Sequence, residues 1–202
     1  SSDVCSSDLL LSDGMIWLYD TTGFIGGALF GLAYAPIVIT GMHHSFIAVE
    51  TQLLADMAKT GGSFIFVIAA MSNVAQGAAT LGVLTVTRDK KLKGTASAAG
   101  ISALLGITEP AMFGINLKLR YPFIGAITGA AVGSAFVTLF KVKAVALGAA
   151  GLPGIISISP ASIVPYIIGM GIAFAVAFVV TIVLAKRDQK KMINSGAKDA
   201  AA

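Results

Sequence analysis

A chain of 202 residues with 56% hydrophobic and only 12% charged side chains, and a mean hydropathy of +0.87, lies far from the balance of a soluble domain and reads as an integral membrane protein. The formal net charge of +4 is held in short basic clusters beside apolar stretches. That placement speaks to membrane topology and lipid headgroups and, with no nucleic-acid motif present, excludes a nucleic-acid partner. A lone cysteine, Cys5, excludes an internal disulfide framework and gives no paired metal ligands.

Ser1 to Leu10 is polar, has no basic residue and carries neither a membrane nor a helical pattern, so it reads as a non-native leader that belongs to nothing downstream. It resembles a translated library adapter, and the chain is then expected to be a fragment. Ile16 to Thr40 is apolar apart from Asp20 and suffices for one span, ending near Pro36, with Trp17 and Tyr19 as interface anchors. The next stretch holds His43, His44, Glu50, Gln52, Asp56 and Lys59, too polar for lipid but suited to an amphipathic helix. At about 100° per residue, only one of the two adjacent histidines can face a given pocket, and their spacing is not that of a metal site.

Gly61 to Thr87 is uncharged and long enough to span, yet holds Asn73 and Gln76 near its centre. Amides at i and i+3 share a face, where they can bond a polyhydroxylated ligand or a neighbouring helix. Arg88 to Lys93 places four cations in six residues and reads as a cytoplasmic loop. Lys118 and Arg120 follow after the uncharged-but-for-one-acid run Gly94 to Leu117, and if both clusters are cytoplasmic that run is a re-entrant hairpin, each limb reaching about the midplane. Tyr121 to Phe140 is a span, with Lys141 and Lys143 placed outside. Ala144 to Ala185 is uncharged and interrupted by glycines and prolines, which predicts a second broken element before a last helix, Ile163 to Ala185, closed by Lys186, Arg187, Lys190 and Lys191. The tail, Asp188 to Ala202, is expected to be disordered.

The acid in the hairpin is Glu109, within Gly106-Ile107-Thr108-Glu109-Pro110. An ionisable group in a lipid-embedded segment costs roughly 2.5 kcal/mol or more on insertion scales unless it faces protein, water or ligand, so it marks a functional site. Pro110 with Gly106 and Gly114 breaks the helix there and frees backbone groups. Broken elements beside whole spans are the pattern of transporters with a midplane substrate. The groups on offer, Glu109, Thr108, His43, His44, Asn73 and Gln76, hydrogen-bond well but form no ion cage, and suit a neutral polyol.

Two strings, Gly106-Ile107-Thr108-Glu109-Pro110 with Gly114 and Asn116, and Gly41-Met42-His43-His44, resemble the membrane domain of sugar phosphotransferase system permeases, enzyme IIC of the glucose superfamily. The likeness runs from about Asp13 to Arg187 and lies nearest the sucrose and trehalose branch, with sucrose favoured by the look of Ala150 to Ile155. It implies an all-α integral membrane fold of transmembrane helices with re-entrant hairpins in the bacterial inner membrane, residues 11–187 being the C-terminal, sugar-carrying half. It further implies Glu109 as the carboxylate bonded to a disaccharide, with His43, Thr108 and, less directly, His44, Asn73 and Gln76 around it, and no cofactor. The implied partners are a phosphocysteine-bearing enzyme IIB domain, upstream enzyme IIA, and a second copy joined through the missing N-terminal half. Cys5, followed by Ser6, Ser7 and Asp8, does not match the phosphocysteine motif. Two other readings stay open on the residues alone: half of an ion-coupled secondary transporter, with Glu109 as the ion site, and a structural subunit whose polar groups only join helices.

Overall fold

The computed structural model describes residues 2–41 and 43–199, with side chains at residue 14, 17–41 and 46–190. The helices in chain order are α1 (Ser2–Ile39), α2 (His43–Ala55), α3 (Met57–Thr60), α4 (Phe64–Val86), α5 (Lys90–Leu104), α6 (Glu109–Ala111), α7 (Leu117–Leu119), α8 (Tyr121–Leu139) and α9 (Ile163–Asp199). Four described segments are long and apolar enough to cross a bilayer: Trp17–Ile39, Phe64–Val86, Tyr121–Leu139 and Pro160–Lys190.

Three helices, α4, α8 and α9, make the core, and small residues let them do so. Gly125, Gly129 and Gly133 form one stripe of α8, lying against Thr181, Ala177 and Ala173 of α9, so closely that a Cβ on Gly129 would sit 2.6 Å from the Ala173 carbonyl oxygen. Lipid supplies no hydrophobic drive for helix association, so van der Waals contact between close backbones has to supply it. On the other side of α8, Gly27 and Gly31 of α1 meet Thr138 and Ser134 in the same manner. The membrane-crossing window of α4 is 89% buried within the protein and that of α1 only 22%, so α4 is the central helix and α1 faces outward.

Helix α1 departs from expectation at both ends. Its backbone is helical from Ser2, through the leader for which no helix was expected, because a helix nucleated in the apolar segment extends cheaply into residues that would not start one. It kinks at Gly23 (φ 55°, ψ −133°) and continues past Pro36 to Ile39. Trp17 is exposed, as an anchor should be, but Tyr19 is not: it is 8% exposed and stacks on Phe64 at 4.4 Å. At the other end of the chain, α9 runs on to Asp199 where a disordered tail was expected from residue 188. Alanine, lysine and glutamine, all good helix formers, allow that continuation.

The segment between the two basic clusters folds as a helical hairpin. α5 begins at an N-cap, Asp89, whose carboxylate accepts from the Lys91 backbone N–H at 2.8 Å. It packs antiparallel to α4, Gly100 against Gly77, and its 15 residues rise about 22 Å, roughly to mid-membrane. The turn closes with Gly106 N–H on the Ala103 carbonyl (3.0 Å) and Ile107 N–H on the Ser102 carbonyl (3.0 Å). This pair of bonds needs positive φ at the residue after the helix, and Gly106 supplies φ 103°. The chain returns through α6, a π-helical turn at Met112–Asn116, and α7. Leu92 from the start of the hairpin and Leu119 from its end pack on one cluster with Val83 and Leu84, so both ends emerge together. Arg88, Lys93 and Lys186 line one wide groove at that end of the bundle.

The second broken element joins α8 to α9. Ala144 pairs with Ser63 at the head of α4, N–H to O at 2.8 and 2.9 Å in the two directions, and the chain then turns inward through 3₁₀ turns at Leu152–Ser157 and Pro160–Ser162. Lys143 donates to the Thr60 carbonyl at this end, opposite the basic clusters.

Candidate functional site

The tips of the two broken elements meet halfway along α4. A Cβ on Gly151 would lie 2.5 Å from the Leu104 carbonyl oxygen, and one on Gly106 would lie 3.1 Å from that of Ala150. Asn73 fixes this junction: its Nδ2 donates to the Ala150 carbonyl at 2.6 Å. The Tyr166 hydroxyl, fully buried, donates to the Gly151 carbonyl at 2.9 Å. Two successive carbonyls of an irregular loop are thus bonded from α4 and α9, which satisfies backbone that lipid could not.

Thr108 and Glu109 lead directly from this junction into the returning limb. Thr108 is 8% exposed, whereas Glu109 is exposed and its carboxylate has no hydrogen-bond partner among the described residues, only its backbone carbonyl accepting from Met112 N–H. Glu109 occupies the first turn of a helix, where the positive end of the dipole favours a carboxylate, and Pro110 beside it needs no donor there. The acid is therefore presented at a chain break, about half a membrane deep.

Gln76, expected on the same face as Asn73, is 1% exposed and turns to the hairpin: Asn116 Nδ2 donates to Gln76 Oε1 at 2.6 Å, and Thr80 Oγ1 donates to Asn116 Oδ1 at 2.9 Å. The two amides of α4 thus divide the work, Asn73 holding the loop and Gln76 the hairpin. Asn116 ends the π-helical turn, a distortion common at functional sites, and its pairing explains why the turn lies there. His43 and His44 open α2, but their side chains lie outside the described residues.

One feature was missed by sequence reading. A cavity of about 250 Å³ opens between Tyr34, Ile47, Glu50, Phe66, Ala69, Leu147, Gly148 and Ala150, and Glu50 is its acid. Burial pushes the Glu50 carboxyl up to about 7, while the Ser63 hydroxyl, donating to Oε1 at a long 3.4 Å, pulls slightly the other way. The signal was available in Phe46, Val49, Glu50 and Leu53, whose spacing puts the glutamate on the inward face of α2. Among the described residues no three His, Cys, Asp or Glu side chains gather as a metal-binding group.

Four crossing helices, with a hairpin that enters and leaves at one end, define a multi-pass membrane domain built around a midplane junction. The profile of the family "Phosphotransferase system, EIIC" matches residues 5–130, and the chain belongs to that family of the bacterial inner membrane. A PTS system sucrose-specific EIIBC component of Vibrio alginolyticus is 69% identical over 183 residues, which cover 91% of this chain and 38% of that protein. One from Staphylococcus xylosus is 72% identical over 150 residues, 74% of this chain and 31% of the relative. A trehalose-specific EIIBC component of Bacillus subtilis is 41% identical over 181 residues, 90% and 38%. The chain therefore spans about a third of the length of the curated relatives it matches. No solved structure matches it.

Proposed function

We propose that this chain is the sugar-carrying C-terminal part of an enzyme IIC domain, which binds a disaccharide, sucrose first among candidates, and presents it for phosphorylation by a phosphocysteine on an enzyme IIB domain. The observation that carries the reading is the midplane meeting of the hairpin tip and the loop at Ala150, with Glu109 next in line. Ionised, Glu109 accepts hydrogen bonds from two sugar hydroxyls, and Thr108 and Asn73 border the same junction. His43 and His44 complete the contacts from α2, and Gln76 acts through its bond to Asn116 by holding the limb that carries Glu109. The chain supplies binding and orientation and no phosphoryl-carrying residue. Enzyme IIB, charged in turn by enzyme IIA, approaches the basic end formed by Arg88, Lys93 and Lys186. A second copy joins through an N-terminal half outside this sequence. Names of relatives that couple EIIB to EIIC support the partner, and two sucrose-specific relatives at 69% and 72% identity support the sugar.

The test is transport by the full-length permease in vesicles loaded with the general phosphotransferase proteins. Uptake of sucrose as its phosphate, requiring phosphoenolpyruvate and indifferent to a proton or sodium gradient, is the expected result. Uptake driven by an ion gradient alone would return the chain to the secondary transporters.

A further inference from the structure

We propose that Glu50 is a second sugar-binding carboxylate, set on α2 across the cavity from the hairpin tip, so that the disaccharide is held by an acid at each end. This rests on the reading of the chain as a sugar carrier.

The cavity and the midplane junction share a wall. Ala150 lines the cavity, accepts the Asn73 amide, and is the residue against which Gly106 of the hairpin tip rests. A ligand in the cavity therefore abuts the turn that leads to Thr108 and Glu109. Its lining suits a sugar ring: Tyr34 offers aromatic surface, its ring held by stacking on Phe46 at 6.0 Å, and Phe66, 2% exposed, backs the wall. Glu50 offers the polar end. A half-buried carboxylate on an otherwise apolar helix face is costly, and the 3.4 Å contact from Ser63 leaves most of its acceptor capacity open to the cavity. The same Ser63 Oγ accepts from Phe66 N–H at 3.2 Å as the cap of α4, which fixes its position beside Glu50. Sugar hydroxyls are the donors that the site lacks. At about 250 Å³ the cavity takes one ring of a disaccharide and leaves the other toward the hairpin.

The same desolvation gives a signature. With its carboxyl near 7, Glu50 is mostly neutral at pH 6 and mostly ionised at pH 8. Hydroxyl donors favour the ionised form, so sugar binding lowers this pKa, releases protons, and strengthens as pH rises through 7. Of the other groups packed around it, Tyr34 faces the cavity from α1, Lys143 of the loop is bonded to the Thr60 carbonyl, and the α4 and loop residues lining the cavity do not titrate. A substitution at Glu50 assigns the effect to this carboxyl.

Sucrose and trehalose binding is measured by calorimetry on the purified full-length permease at pH 6, 7 and 8, for wild type, Glu50→Gln, Glu50→Asp and Glu109→Gln. Glu50→Gln is expected to weaken sucrose binding about tenfold at pH 8 and to flatten the pH profile, with Glu50→Asp recovering part of both. Wild-type affinity and an unchanged profile in Glu50→Gln overturn the proposal, as does weakened binding that keeps the wild-type profile. Should Glu50→Gln not fold, Glu50→Asp decides: weaker, still pH-dependent binding supports the assignment, and unchanged binding overturns it. Loss in Glu109→Gln with none in Glu50→Gln refutes the role of Glu50 alone, while wild type that binds neither sugar refutes the sugar-carrier reading itself.

Discussion

Glycine is used in two opposite ways in this chain. Along the α8 and α9 seam, Gly125, Gly129 and Gly133 remove side chains so that two unbroken helices lie backbone to backbone. At the midplane, Gly106 and Gly151 also bring backbones together, but those of two segments that are not helical there, and the carbonyls freed by the interruption are tied down by Asn73 and Tyr166. The seam makes a frame that resists change. The junction keeps polar backbone and an acid at a depth where lipid would not tolerate them, and a frame is what makes that possible.

If the two regions differ as described, damage to the seam should cost stability and damage to the junction should cost binding. The largest effect is expected from Gly129→Leu, since even a Cβ there would sit 2.6 Å from both the Ala173 carbonyl and the Ala177 methyl. A loss of about 3 kcal/mol and failure to recover folded protein from detergent are expected, read by thermal melting of the purified permease. Next comes Asn116→Leu, which leaves the buried Gln76 amide without its partner and frees the returning limb from α4. It should cost about 2 kcal/mol of stability and weaken sugar binding together, because this residue ties the junction to the frame. Gly151→Ala sharpens the contrast. Its Cβ would press on the Leu104 carbonyl at 2.5 Å and push the tips apart, so affinity should fall several-fold while the melting temperature drops far less than in Gly129→Leu. Deleting residues 1–10 should change neither stability nor binding, and a loss of either would show that this helical stretch belongs to the working protein.

The sequence revealed the hairpin for a physical reason. Two basic clusters read as lying on one side, separated by an apolar run too long to lie in water and broken by Gly106 and Pro110, permit few other paths. Glu109 was legible because a lone acid in such a run is costly. What stayed hidden depended on partners far apart in the chain. Asn73 and Gln76 looked equivalent by periodicity, and only the fold assigns one to Ala150 and the other to Asn116, 77 and 40 residues away. Tyr19 looked like an interface anchor because a tyrosine near a span end often is one, but the ring of Phe64 lies where it can be stacked upon and buried. Glu50 was passed over within a stretch that read as generally polar, although its neighbours Phe46, Val49 and Leu53 already placed it inward.

The measurement that bears most directly on the central claim is sugar affinity of Glu109→Gln in the purified, folded full-length permease. The amide keeps the shape and loses the charge, and a charge-assisted hydrogen bond is worth about 1.5 to 3 kcal/mol, so sucrose binding should weaken roughly ten- to a hundred-fold with melting unchanged. Normal affinity in Glu109→Gln, together with misfolding of Glu109→Leu, would show that the acid joins helices rather than holds sugar, and would contradict the site described here.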